Sequence, residues 1–390
     1  MHGPFQFFGT ALSFFLFGVS DYTARILPAF LGSAVIALPF FLRKRLGTIG
    51  ALLAAVGIAF SPTLLYFSRF ARNDVYITLF TLALVVCLWR YVDERKSHYL
   101  YLAALVLGIA FATNESTFIN AAVLIVFLNV WMAVHFWRQL RDRNKLDDLS
   151  SASALALLLP FAWAVAALWP FTSRWRDRAG LTDWHPAADF LIVIGTLTLP
   201  QFAAAVQVPL SSLFGIDNAD LARASGAHTR ENVLGLFTIL GLIAATAVIG
   251  LRWNQRVWGA AALAFYVPYA LLYTSLFTNL DGFYSGHWGA LDYWLSQQDV
   301  ARGNQPWFYY LMLLPTYEFL PLVFAAPALF YWTLRGDVFR RFLVFWFAAT
   351  VFGYSVAVEK MPWINVYPTL PLVLIAALFL GDVVTSGLPR

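Results

Sequence analysis

The sequence predicts an all-α integral membrane protein, a polytopic bundle of transmembrane helices with external loops. Of its 390 residues, 60% are hydrophobic and only 12% are charged. Soluble domains are roughly 45–50% apolar and about 25% charged. The apolar residues also fall into successive runs of about 20 residues, the length that crosses a bilayer as an α-helix. Lipid must therefore solvate much of the surface.

About eleven runs are predicted to span. They are residues 22–42, 48–67, 75–89, 99–112, 117–136, 152–170, 232–251, 257–275, 308–334, 342–358 and 364–380. Residues 5–19 are apolar but shorter, which predicts a helix lying at the membrane interface. Residues 188–208 are long enough to span, but Pro200 and Pro209 interrupt them.

Lys and Arg in short loops set the orientation of such a protein. The loops after residues 42, 89, 136, 251 and 334 are basic and share one face only if residues 188–208 do not cross. We therefore expect that segment to be re-entrant or interfacial, the basic face to be cytoplasmic and the active face external or periplasmic on the cell (plasma) membrane. The expected single domain (1–390) has an N-terminal module (1–170), an external or re-entrant segment (171–231) and C-terminal helices (232–390) with an external loop (276–307).

Several classes of protein are excluded. The formal charge of +5 fits orientation and anionic lipid, because no basic stretch alternates with aromatic residues as a nucleic-acid surface would. The single cysteine, Cys87, lies in an apolar run, so no internal disulfide is possible. The chain has no Walker-type phosphate loop, H-E-x-x-H, G-x-S-x-G or Cys/His metal pattern.

Residues 68–74 form the densest charged cluster between two predicted spans. Charges so close to hydrocarbon are expensive and indicate function. Arg69 and Arg72 can grip a phosphate through paired N–H donors, and Asp74 beside them is expected to stay ionised. The alternative is a loop whose charges anchor the span ends.

The other candidates lie at span ends on the same external face, and each has a simpler alternative. Glu115 is a site carboxylate or part of a helix cap. Glu359 and Lys360 neutralise each other, or Lys360 meets a lipid phosphate. Gly- and aromatic-rich residues 281–289 and 302–310 hold a sugar or headgroup, or form an ordinary aromatic belt. Glu318 is a buried partner of Arg302 or a pore-side group, and His2 is more often structural than a ligand. The predicted binding residues are Arg25, Arg69, Arg72, His287, Arg302, Trp307, Tyr309, Glu318, Glu359 and Lys360.

Three groups of motifs carry a family resemblance over nearly the whole chain, weakest over residues 171–231. They are the stretch from His2-Gly3-Pro4 through Phe17-Gly18-Val19-Ser20-Asp21 to Arg25; Ser68-Arg69-x-x-Arg72-Asn73-Asp74 with Gly108 and Thr113-Asn114-Glu115; and Arg302-Gly303-x-Gln305-Pro306-Trp307-x-Tyr309-Tyr310-Leu311, Tyr317-Glu318 and Glu359-Lys360-Met361-Pro362-Trp363. With these motifs the chain resembles polytopic GT-C glycosyltransferases, namely the dolichyl-phosphate-mannose–protein mannosyltransferases and the lipid A aminoarabinose transferases. It looks nearest to the branch called flippase activity-associated proteins.

The resemblance implies a membrane transferase of the cell envelope that acts with inversion. A polyprenyl-phosphate sugar binds with its phosphate near external basic residues, and an acid deprotonates an acceptor hydroxyl on a glycan, lipid or protein. It implies Asp74 and Glu115 as acidic site residues and Arg69, Arg72 and Lys360 as phosphate grips. His2 falls where some relatives place a metal or phosphate-side ligand, which would bring a divalent metal ion.

The chain departs from the family pattern at its start. Relatives carry a first spanning helix and then an acidic residue, the usual candidate for the general base, upstream of the stretch that begins at His2 here. We therefore expect the sequence to be N-terminally truncated and to lack that base. The alternatives to an enzyme are a lipid-linked-sugar flippase and a flippase-associated, non-catalytic membrane protein. Charges at span ends, and not through the bilayer midplane, favour the enzyme.

Overall fold

The computed structural model describes residues 3–142, 148–206, 230–296 and 304–386. The described residues are helical almost throughout, as the sequence predicts. The helices are α1 Pro4–Phe17, α2 Asp21–Ala37, α3 Arg43–Phe60, α4 Pro62–Ser68, α5 Asp74–Glu94, α6 His98–Phe111, α7 Ser116–Asp142, α8 Asp148–Leu168, α9 Ser173–Ala179, α10 Pro186–Thr198, α11 Arg230–Tyr273, α12 Asp281–Ser296, α13 Tyr309–Tyr317, α14 Phe319–Arg335, α15 Val338–Val356 and α16 Val366–Ser386. Short 3₁₀ turns occupy Leu38–Leu42, Trp169–Phe171, Leu199–Phe202 and Pro362–Asn365.

Seven helical segments in the described ranges are long and apolar enough to cross a membrane, or eight if the bent pair α13 and α14 forms one span. The predicted number of eleven is not shown. Asp21–Phe60 and Gly235–Tyr273 each cover two predicted spans. The first is kinked at Gly47 (φ 72°) and the second at Asn254. His98–Phe111, with 14 residues, is about 21 Å long and shorter than the roughly 30 Å hydrocarbon core.

The predicted continuous span over residues 308–334 is broken at Glu318. Here α13 ends and α14 begins, and the two helices meet at 113°. Glu318 has φ −122° and ψ 37°, outside the helical region. The nine residues of α13 extend only about 14 Å. Neither this bend nor its position at an acidic residue follows from the apolar pattern.

Contacts divide the chain into two compact units, and not at the predicted boundary near residue 170. The first unit comprises residues 1–90, 110–123 and 293–390, and the second comprises residues 91–109 and 124–292. In the first unit, α16 is almost wholly buried and packs against α3, α14 and α15. The α3 and α16 backbones approach closely, because a Cβ on Gly381 would lie 2.8 Å from the Gly50 Cα. Such close approach is typical of helix pairs in membranes.

In the second unit, α10 and the turn after it run parallel to the second half of α11. Trp253, Trp258 and Tyr269 donate hydrogen bonds, in that order, to residues progressively further along this segment: Asp189, Thr196 and Gln201. The segment 186–206 thus lies beside the predicted span 257–275 and runs in the same direction. Residues 186–206 are also long and apolar enough to cross a membrane, while the re-entrant or interfacial segment stays a prediction.

The residues just before α10 lie beside the end of α7 that the sequence predicts to be basic. The backbone N–H groups of Thr182 and Asp183 donate to Gln139 Oε1 at 3.1 and 3.0 Å, one residue after Arg138. Phe171 lies under the guanidinium of Arg252, in another predicted cytoplasmic loop. The predicted placement of the whole 171–231 stretch on the external face is therefore not supported at its beginning, which lies at the basic end of the second unit.

The predicted external loop 276–307 contains a helix, α12. Its glycines suggested a loop, but two of them pack against α11. A Cβ on Gly282 would lie 1.8 Å from the Tyr273 carbonyl oxygen, and one on Gly286 would lie 2.8 Å from the Tyr269 hydroxyl. Their spacing of four residues puts both on one helix face. Small residues on that face allow the two helices to pack closely. The glycines therefore belong to a packed helix, where the sequence predicted a loop.

Candidate active site

The charged turn between α4 and α5 forms the centre of the candidate site in the first unit. Asp74 opens α5 and is only 4% exposed. Its Oδ2 pairs with Arg72 Nε at 3.1 Å, and its Oδ1 accepts a hydrogen bond from the Tyr367 hydroxyl at 3.3 Å. The Arg72 guanidinium also lies 3.7 Å from the centre of the Trp363 ring, a cation–π contact. The pair Arg72–Asp74 is thus held by α16 and by the turn that precedes it.

The terminal nitrogens of Arg72 face no acceptor among the described residues, since its hydrogen bond to Asp74 is made by Nε. The Arg72 side chain keeps 29% of its surface exposed. Its planar fork can therefore still receive a phosphate or carboxylate through two parallel N–H groups. Asp74 and Trp363 hold the guanidinium in place through Nε and the face of the ring. The two terminal nitrogens remain available to a ligand.

Three tyrosines line the interior beside Asp74. Tyr354 stacks on Tyr367 with ring centroids 5.0 Å apart, and Tyr310 meets Tyr354 edge-on at 6.5 Å. The Tyr310 hydroxyl accepts from the Met361 N–H at 3.1 Å, which anchors the 359–363 turn. Ser116, at the start of α7, lies beside the hydroxyls of Tyr354 and Tyr367. The motifs around residues 74, 116 and 361 therefore meet in one place.

The start of the chain docks on the same region. The Gly3 N–H donates to the Thr113 carbonyl at 3.0 Å, and Gln6 Nε2 donates to the Ala71 carbonyl at 2.8 Å. Gly3 permits this approach because a Cβ there would lie 2.3 Å from the Ala112 carbonyl oxygen. The structure thus brings together the motifs at residues 3–6, 68–74 and 112–116, which the sequence presents far apart.

An apolar cavity of about 230 Å³ opens beside Arg69. Its walls come mainly from apolar residues of α2, α3 and α4, including Val35, Ile58 and Leu64, while Ser68 and Arg69 supply polar lining. Arg69 is exposed. The cavity therefore combines an apolar wall with a guanidinium, the arrangement that an amphipathic anion requires.

The remaining predicted residues of the first unit lie in different settings. Lys360 is only 7% exposed, and its Nζ donates to the Ala357 carbonyl at 2.8 Å. Glu115 is buried, at 8% exposed, in the turn that contacts Gly3. Arg25 is exposed, Trp307 is 67% exposed, and Tyr309 and Glu359 are half-buried.

Two predicted binding residues have no exposed surface. Glu318 has no exposed surface and contacts Ser61 and Thr63, so its interactions are with the interior of the first unit. The predicted partner Arg302 lies outside the described residues. His287 is fully buried in the second unit among the rings of Tyr266, Tyr269 and Phe283. This burial argues against a ligand contact at His287, and desolvation lowers its pKa to about 4.

The predicted metal ligand His2 also lies outside the described residues. Among the residues that the structure describes, no three His, Cys, Asp or Glu side chains form a group that could hold a metal ion. A divalent ion at this position rests on the resemblance alone, and no catalytic step is derived through it.

Sequence reasoning missed Tyr354 and Tyr367 beside Asp74, and it placed Tyr310 only in the aromatic stretch 302–310. Tyr310, Tyr354 and Tyr367 each lie near the end of a predicted apolar span, where tyrosine is also expected as an interfacial anchor. The only sequence signal that they share is a tyrosine near the external end of each of three predicted spans. That signal alone does not distinguish a belt facing lipid from a cluster facing inward.

Comparisons with known proteins agree with this arrangement at the level of family and fold. Residues 1–163 match the family model described as dolichyl-phosphate-mannose-protein mannosyltransferase. The N-terminal part of the chain is therefore similar to a membrane glycosyltransferase of GT-C type, a family whose name specifies a dolichyl-phosphate sugar donor. No curated protein sequence matches the chain, and the predicted flippase-associated branch stays a prediction.

A solved structure shows a similar fold over nearly the whole chain. The apo crystal structure of the Archaeoglobus fulgidus oligosaccharyltransferase matches 97% of this chain with a TM-score of 0.50 and 14% identity. A second crystal structure of that protein, a complex with Zn and sulfate, matches 98% of the chain with a TM-score of 0.46 and 17% identity. The chain spans 42% of the length of the first. At this identity the similarity concerns the fold alone.

Proposed function

We propose that the protein is a membrane glycosyltransferase that moves a sugar from a polyprenyl-phosphate donor to an acceptor on the external face, with inversion at the anomeric carbon. The observation that supports this most is the apolar cavity with Arg69 in its lining, close in sequence to the free fork of Arg72. A lipid-linked phosphate has this same composition, an anionic head on an apolar chain. The match of residues 1–163 to the mannosyltransferase family points the same way.

In this proposal the arginines bind the donor phosphate and stabilise its charge. As the acceptor oxygen bonds to the anomeric carbon, the bond from that carbon to the phosphate oxygen breaks, and negative charge grows on the departing lipid phosphate. Preorganised cations at that point stabilise the transition state. Arg72 is preorganised by Asp74 and Trp363, and Arg69 is available at the surface. Lys360 joins them only by turning away from the Ala357 carbonyl.

We assign Asp74 a positioning role. Both of its oxygens are engaged, one with the Arg72 guanidinium and the other with the Tyr367 hydroxyl. With both oxygens engaged in this way, Asp74 presents no free oxygen to an acceptor hydroxyl. The acceptor proton must therefore go to another carboxylate, and Glu115 is the candidate on the turn that carries Ser116.

The test measures transfer from radiolabelled polyprenyl-phosphate sugars by membranes that contain the protein. We expect Arg72→Ala to lower the rate by roughly 100-fold or more, the scale seen when a transition-state donor is lost. Arg335→Ala is the matched control, because Arg335 is an exposed arginine at the end of α14, and it should leave the rate unchanged.

Two results would contradict the proposal. Equal rates for Arg72→Ala and the unaltered protein would remove the assigned phosphate site. Movement of the intact lipid-linked sugar across vesicle bilayers, with no release of lipid phosphate, would support the flippase alternative.

A further inference from the structure

The corner between α13 and α14 holds a carboxylate in the interior of the first unit. Glu318 is 0% exposed, and its Oε1 accepts from the Ser61 hydroxyl at 2.7 Å and from the Thr63 N–H at 3.0 Å. Its Oε2 is buried and has no hydrogen-bond partner among the described residues. An ionised group at this depth is costly without a counter-charge, and no described Lys, Arg or His pairs with Glu318. A carboxylate at this position therefore calls for a neutralising partner.

Two further unpartnered oxygen atoms lie on α16 and the turn before it. Asn365 is 1% exposed, and its Nδ2 donates to Thr63 Oγ1 at 3.3 Å while its Oδ1 has no partner in the described chain. Thr369, one helical turn further on, is 0% exposed, and its hydroxyl is also unpartnered among these residues. Thr63 links the two side chains, because its N–H donates to Glu318 Oε1 and its hydroxyl accepts from Asn365 Nδ2.

The chemistry of these atoms selects the kind of ligand. Carboxylate, amide and hydroxyl oxygens are the ligands of hard cations. One carboxylate among neutral oxygens balances a single positive charge, so a monovalent ion leaves the buried site neutral. The site also lies at a helix break. The Leu314 carbonyl accepts from the Glu318 N–H, and the α13 carbonyls that follow it lie past the end of the hydrogen-bond ladder of that helix. Broken helices inside membranes supply such carbonyls to Na⁺.

We propose that Glu318, Asn365 and Thr369 form a Na⁺ site that joins the α13–α14 corner to α16 and to the turn before α4. This site is separate from the arginines that bind the donor phosphate, and the inference does not rest on the proposed function. Its effect would reach the candidate active site through α16, because Tyr367 lies between Asn365 and Thr369 in the sequence and donates to Asp74.

The direct test is equilibrium binding of ²²Na⁺ to the purified protein in nanodiscs. We expect saturable binding of about one ion per chain, loss of binding in Glu318→Gln, and binding at least about ten-fold weaker in Thr369→Val, which keeps the side-chain shape and removes the hydroxyl. Asp189→Asn is the matched control. It alters a buried carboxylate of the second unit that already accepts from Tyr91, Trp184 and Trp253, and ²²Na⁺ binding should persist.

Thermal unfolding gives a second readout. A ligand that binds only the folded protein raises its melting temperature, so NaCl should stabilise the protein more than choline chloride at equal ionic strength. If Glu318→Gln does not fold, Thr369→Val and Asn365→Ala decide. Absence of saturable ²²Na⁺ binding to the folded protein would overturn the proposal. So would stability that follows pH but not Na⁺, because a proton would then occupy the place of the ion.

Discussion

The Tyr367 hydroxyl and the Asp74 carboxylate meet at 3.3 Å although 293 residues separate them in the sequence. This contact links the helix that begins with Asp74 to the last described helix. It also leaves Asp74 Oδ2 directed at Arg72. The orientation of Arg72 therefore depends on a residue that does not touch the proposed donor.

Tyr367→Phe removes the hydroxyl that fixes Asp74 but keeps the ring stacked on Tyr354. We expect transfer activity to fall several-fold with little loss of stability, since the lost hydrogen bond is worth about 1 kcal/mol. The measurement is the rate at saturating and at low donor concentration. Replacing Phe352, which is 71% exposed on α15, with Leu should change neither. Full activity of Tyr367→Phe would show that Asp74 needs no such support.

The glycines of α12 provide a packing prediction with an internal control. Gly282→Ala should destabilise the protein by at least about 1–3 kcal/mol, because the new Cβ overlaps the Tyr273 carbonyl. Gly289→Ala meets nothing within 4 Å and should be neutral or stabilising by up to about 1 kcal/mol through helix propensity. Thermal unfolding of both variants in detergent is the measurement. Equal melting temperatures would contradict the packing of α12 on α11.

The course of α10 predicts which side of the membrane carries residue 182. In a Cys87→Ala background, Thr182→Cys should react with a membrane-impermeant maleimide only from the basic side, which the sequence predicts to be cytoplasmic. Thr278→Cys, in the exposed turn after α11, should react from the opposite side. Both residues are exposed. Labelling of positions 182 and 278 from the same side would contradict the crossing of residues 186–206 and support the re-entrant segment.

Burial of His287 predicts acid sensitivity. Its pKa is lowered from 6.5 to about 4 in the folded protein by desolvation. Between these values the unfolded chain binds the proton and the folded protein does not. Stability is therefore fully present above about pH 6.5 and is lost as the pH falls towards about 4, by up to about 3 kcal/mol. Thermal unfolding of the protein and of His287→Phe across this range is the measurement, and the variant should lose most of the slope.

The sequence predicted the helical membrane class and most helix positions because lipid imposes a simple rule, a run of apolar residues of sufficient length. The same rule could not reveal the break at Glu318, since apolar residues continue on both sides of it. It also could not show the direction in which residues 186–206 run beside α11. That direction comes from which residues of α11 lie beside Asp189, Thr196 and Gln201.

The candidate site was predictable in part. Charges at span ends identified Arg69, Arg72 and Asp74, because an ionised group beside hydrocarbon needs a reason to be there. The partners that define their roles, Tyr367 and Trp363, lie in distant sequence and carry no charge. His287 was misread because Gly and aromatic residues occur both in sugar-binding loops and in tightly packed helix pairs, and only tertiary contacts separate the two.

The bend at Glu318 also has a consequence for biogenesis. Ser61 and Thr63 leave the ribosome 257 and 255 residues before the carboxylate that receives their hydrogen bonds. Until then the turn before α4 has no such acceptor, and α13, at about 14 Å, is too short to insert by itself. The N-terminal helices therefore reside in the bilayer without this acceptor until about the last fifth of the chain has been synthesised. A truncated transcript that ends before residue 318 should give a product that membrane quality-control proteases remove.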